Sequence, residues 1–65
     1  MSEPNIMRHA SRELSDHEHD TINLVKDQGL AFWMILNGME SSRELSLAKT
    51  KIEEAVMWAV KHITR

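Results

Sequence analysis

Among side chains able to hold a ligand or move a proton, the densest group is His17-Glu18-His19-Asp20, which has the residue types of a metal site. Its spacing argues against one. On a helix, residues i and i+2 point to different faces, and only Asp16 and Asp20 stand four apart as surface neighbours. Acidic groups at a helix start also complement the macrodipole, so the run reads as a solvated first turn and no metal is expected. The sequence has no HExxH, no calcium-loop carboxylate pattern, no Walker glycines and no usable Ser/His/Asp order. No catalytic residue is assigned, no enzyme activity is expected, and no cofactor is expected.

The cations are more informative. Lys26 falls in the middle of an apolar segment, one turn before Gly29. Pairing two antiparallel helices about their turn places it near Glu53 and Glu54, where it can form a salt bridge across the pair. The other reading is a phosphate contact, because an ammonium on a long flexible stem is a good point-charge partner for a phosphodiester. Gly29 falls opposite about Thr50 by the same geometry. A glycine inside a helix costs about 1 kcal/mol relative to alanine, which calls for a compensating close approach, of a packed helix or of a ligand. Arg8, His9, Ser11 and Arg12 form a short polar arm that can fold over a ligand or remain solvated. Lys61, His62 and Arg65 complement the dipole at the end of the last helix. Trp33 and Trp58 could stack on bases, but at helical spacing they read first as buried or interface residues.

The elements that must position these residues are two helices. Ser15-Asp16-His17-Glu18 and Ser41-Ser42-Arg43-Glu44 both match the Ser-x-x-Glu capping box, in which the serine oxygen and the glutamate carboxylate satisfy each other's backbone amides. The first helix is predicted from Asp16 to about Asn37, with Gly38 as a left-handed cap. The second is predicted from Ser42 to about Ile63. Ile22, Val25, Gly29, Phe32 and Leu36 recur at helical spacing, as do Leu45, Ala48, Ile52, Ala55, Ala59 and Ile63. A link as short as Gly38 to Ser41 favours an antiparallel hairpin. The fold class is therefore all-α: one domain over 1–65, with an arm over 1–14, helix one over 15–38 and helix two over 41–64.

Composition sets the limits. Two helices enclose one seam, yet Leu24, Leu30, Trp33, Met34, Leu47, Val56, Met57 and Trp58 lie outside it. A helix apolar nearly all round is a buried helix, and a 65-residue chain without cysteine has no disulfide or thiolate metal site to supplement a small core. A homo-oligomer larger than a dimer is the expectation. The net charge of −2 argues against binding to DNA or RNA, which needs a clustered basic face. One small anion held by a few cations remains allowed. No apolar run is long enough for a membrane span, and the stretch MSEPNIMRHASRE has no apolar core of a signal peptide, so a soluble, unexported protein is expected.

The run SRELSLAKTKIEEAVMWAVKHIT, Ser42 to Thr64, strongly resembles the signature helix of a phage family. The family comprises the hairpin-domain cyclic-oligonucleotide sponges that counter CBASS immunity, together with the related hairpin of an anti-Thoeris sponge. The likeness extends through Arg12-Glu13-Leu14-Ser15, Glu18 and Val25-Lys26-Asp27-Gln28-Gly29, about 50 of the 65 residues. It implies a compact, interlocked homohexamer that binds cyclic dinucleotides and, in some members, cyclic trinucleotides at a separate site. Such a protein removes the second messenger in the host cell cytoplasm without breaking a bond in it. The family's principal cation falls on Lys26. An aromatic residue that the family tends to place before the arm's arginine is Ser11 here. Base stacking contributes about 1 to 3 kcal/mol, so Ser11 beside Arg12 would weaken or redirect dinucleotide binding unless His9 substitutes. Gln28 and Arg65 fall where the resemblance implies a trinucleotide contact. The other reading of the residues is a helical protein–protein interaction module of antitoxin or adaptor type.

Overall fold

The structure, a computed structural model, describes residues 13–65. They form two α-helices, α1 over Asp16–Asn37 and α2 over Arg43–Ile63, with no strand among the described residues. Helix α1 starts as its capping box requires. Ser15 is extended at φ −73° and ψ 164°, its Oγ accepts from the Glu18 amide at 3.1 Å, and Glu18 Oε1 accepts from the Ser15 amide at 2.9 Å.

The start of α2 differs from the sequence reading. Ser42, not Ser41, is the cap, with φ −159° and ψ 167°, and its Oγ accepts from the Leu45 amide at 3.0 Å. The residue three beyond the cap is then Leu45, which has no carboxylate to return the bond, so the expected Ser41–Glu44 box does not form. Two adjacent serines offer the same capping oxygen. The later choice turns Leu45 inward and leaves Glu44 in the first turn, where it still complements the dipole.

The end of α1 is a second correction. Gly38 has φ −85° and ψ −4°, in the right-handed region, and its amide donates to Ile35 O at 3.2 Å while the Met39 amide donates to Leu36 O at 3.0 Å. The last turn tightens into three-residue bonds, which satisfy the terminal carbonyls without a left-handed residue.

The helices run antiparallel, since contacts proceed in opposite order along them: Asn37 with Lys49, Trp33 with Glu53, Gly29 with Val56. The register is offset from the turn-centred expectation. A Cβ built on Gly29 would overlap Val56 Cγ2, so Gly29 faces Val56 and not Thr50. The start of α2 therefore projects beyond the end of α1, and the link over Gly38 to Ser42 spans this offset.

The seam is thin. Ile22 alone is buried among the described residues, at 9% exposure, and Val25, Gly29, Leu36, Leu45, Ile52, Val56, Val60 and Ile63 are half-buried. Val56, expected outside the seam, lies in it. Phe32 and Ala55, expected inside, are exposed at its edge, since α2 turns the side carrying Val56 and Val60 into the seam. Ile35, Trp58 and Met34 are 63%, 61% and 60% exposed, so large apolar side chains remain uncovered outside the seam. No helix among the described residues is long and apolar enough to cross a membrane.

Candidate ligand-binding site

Helix α1 positions Lys26 on its solvent-facing flank, one turn from Gly29. The expected salt bridge does not form. Glu53 accepts from Trp33 Nε1 at 3.2 Å, and Glu54 pairs with Lys51 at 3.7 Å along α2. Because Gly29 faces Val56, Lys26 stands level with about Ala59, beyond reach of either carboxylate. Lys26 makes no hydrogen bond or ion pair with any described residue. Its ammonium is a charge without a structural use inside the hairpin.

Two grooves run along the hairpin, sharing the Gly29–Val56 approach as their floor. On one flank a groove of about 450 Å³ is lined by Leu30, Trp33, Ile52 and Glu53. Lys26, Leu30 and Trp33 recur at i, i+4 and i+7, so Lys26 belongs to this flank. On the other, a groove of about 540 Å³ is lined by Gln28, Phe32, Leu36, Ala48 and Ala55. Two residues along a helix turn about 200°, which is why Lys26 and Gln28 serve opposite flanks although nearly adjacent in sequence.

A third, smaller recess of about 190 Å³ lies at the open end of the hairpin, between His17, Glu18 and Thr21 of α1 and His62, Ile63 and Arg65. Arg65 Nη1 lies 3.2 and 3.3 Å from the two ring nitrogens of His62 and also donates to the His62 carbonyl. Gln28 is ten residues along α1 from Glu18, about 15 Å by helix rise, so one hairpin does not bring Gln28 and Arg65 together. His9, Ser11 and Arg12 lie outside the described residues. Of the expected site residues, Lys26, Gln28 and Arg65 are therefore placed on three separate parts of the hairpin surface. Glu18 of the His17–Asp20 run is committed to the cap, and among the described residues no three of His, Asp and Glu gather as a metal ion requires.

One cluster was missed by the sequence reading. On the Lys26 flank the Lys49 ammonium donates to Asn37 Oδ1 at 3.0 Å and stands 4.8 Å from the centre of the Trp33 ring, whose N–H is held by Glu53. Trp33 with Asn37 and Lys49 with Glu53 are both four-residue pairs, a signal visible in the sequence. Only the true register brings the pairs face to face.

No curated protein and no solved structure matches the chain. The family model described as Acb2/Tad1, hairpin domain, matches residues 3–64. With two antiparallel helices in place and that match covering nearly every residue, the chain belongs to the Acb2/Tad1 hairpin-domain family, the anti-CBASS and anti-Thoeris sponges whose signature its second helix resembles.

Proposed function

We propose that this protein is a phage immune-evasion sponge that binds cyclic dinucleotides, and cyclic trinucleotides at a second site, so that host CBASS effectors stay unactivated. The observation that carries this reading is the family match over residues 3–64. The geometry is compatible with it at one residue: Lys26 is exposed, unpaired among the described residues and on the same face of α1 as Leu30 and Trp33, which line an apolar groove.

The proposed working unit is a homohexamer in the host cytoplasm, each chain a single domain over 1–65 with residues 1–14 as its arm. Two apolar flanks per hairpin fit an assembly in which every copy has two neighbours. Symmetry then repeats Lys26 around a pocket, so a chain of net charge −2 can still offer several cations to one polyanion. Arg12, Ser11 and His9 of the arm would close over the dinucleotide, and Gln28 and Arg65, from different copies, would meet at the trinucleotide site. No bond is broken in this reading, since the family the chain belongs to is one of binding sponges.

Calorimetric titration with cyclic di- and trinucleotides tests the reading, with the bound ligand recovered after heating. Saturable binding and intact ligand are expected. Absence of binding to every member of the panel, or recovery of linear product, would overturn it, and binding only to a partner protein would favour the interaction-module reading.

A further inference from the structure

Lys49 is half-buried, and its charge has no carboxylate partner among the described residues. Glu53, one turn along α2, is the natural partner at i+4, but no ion pair forms between them, and Glu53 Oε2 accepts from the Trp33 N–H at 3.2 Å. What holds Lys49 is neutral: the Asn37 amide oxygen at 3.0 Å and the face of Trp33 at 4.8 Å. These contacts fix the direction of the ammonium without cancelling its charge. An ammonium has three donors, of which Asn37 uses one and the ring attracts a second, so one remains for an anion.

We infer that Lys49 is a second anion contact on the Lys26 flank, aimed by Asn37 and Trp33, and that it takes a phosphate group of the nucleotide proposed for that flank. The inference rests on that reading for its ligand. Lys26 and Trp33 are seven residues apart, about 10 Å along α1, so the two cations lie at different heights on one flank. Glu53 is the opposing charge among the residues lining the groove, and it moderates the site. Trp58, which has Lys61 at 5.8 Å from its ring on the outer side of α2, serves as an internal control.

The test uses the full chain and reads the indole N–H resonances of Trp33 and Trp58 while inorganic pyrophosphate, and separately a cyclic dinucleotide, is added. Pyrophosphate is expected to move the Trp33 resonance and leave that of Trp58. Lys49→Gln, which keeps a donor for Asn37 and removes the charge, is expected to weaken pyrophosphate at least tenfold, and Lys49→Arg to retain it. Glu53→Gln, which keeps an acceptor for the indole, is expected to tighten it severalfold and reports even if Lys49→Gln fails to fold. A wild-type Trp33 resonance indifferent to pyrophosphate, or variants that bind it as the wild type does, would overturn the inference. A Trp33 response to pyrophosphate with no binding of cyclic dinucleotide would sink the sponge reading and leave the Lys49 contact standing. Dinucleotide binding that Lys49→Gln leaves intact would do the reverse.

Discussion

A lysine that neither packs nor pairs with any described residue stands out only against the uses it could have had. Lys26 has two carboxylates within its sequence-expected reach, and the structure assigns both elsewhere, Glu53 to Trp33 and Glu54 to Lys51. Removing Lys26 should therefore cost the fold almost nothing, in contrast to a lysine in a buried pair. Lys26→Ala is expected to leave the melting temperature within a degree or two. A charge-assisted contact contributes about 1.5 to 3 kcal/mol, and the proposed symmetric assembly would supply at least two per ligand, so dinucleotide affinity should fall by about a hundredfold or more. Calorimetry on the same sample reads both. Lys51 and Glu54 give the contrast: their side chains are 73% and 50% exposed, and neutralising Glu54 should change stability by less than about 0.5 kcal/mol.

At the scale of elements, the two corrections at helix ends are separately testable. Ser42→Ala should cost about 1 kcal/mol, because the Leu45 amide loses its acceptor, whereas Ser41→Ala should cost a few tenths at most. Gly38→Ala should be neutral or mildly stabilising by about 0.4 to 1 kcal/mol, since its backbone is right-handed and an added Cβ meets only carbonyl oxygens at 3.6 and 3.9 Å. Gly29→Ala should destabilise by about 1 to 3 kcal/mol despite better helix propensity, because the new methyl overlaps Val56, whose β-branched side chain has little freedom to turn away. Adding Val56→Ala should recover part of that loss. Thermal melts followed by circular dichroism measure all of these. The sequence made the helices legible because capping and periodicity are local: Ser15 and Glu18 determine the start of α1 by themselves. Register was not legible, since the slide of α2 along α1 depends on how Gly29 admits Val56 across a distance of twenty-seven residues. That slide explains why Lys26 is not beside Glu53 and why the sequence alone does not bring Trp33 and Lys49 together. The cap at Ser42 was illegible for a smaller reason, two serines side by side with equal chemistry.

For the whole molecule, one buried side chain is too little core for fifty-three described residues, and apolar side chains crowd both flanks and the outer faces. In the proposed assembly, covering them with sister copies would answer the stability problem and the binding problem together, since each new boundary would also bring Lys26 side chains toward one another. The family match gives the ligand class that such a boundary would hold. The measurement that bears on this most directly is native mass spectrometry of the full chain mixed with a cyclic dinucleotide. The expected spectrum is a six-chain assembly carrying unmodified ligand, with the ligand mass lost, but the assembly kept, when Lys26 is replaced by alanine. A folded monomer, or an assembly that holds the same ligand without Lys26, would contradict it.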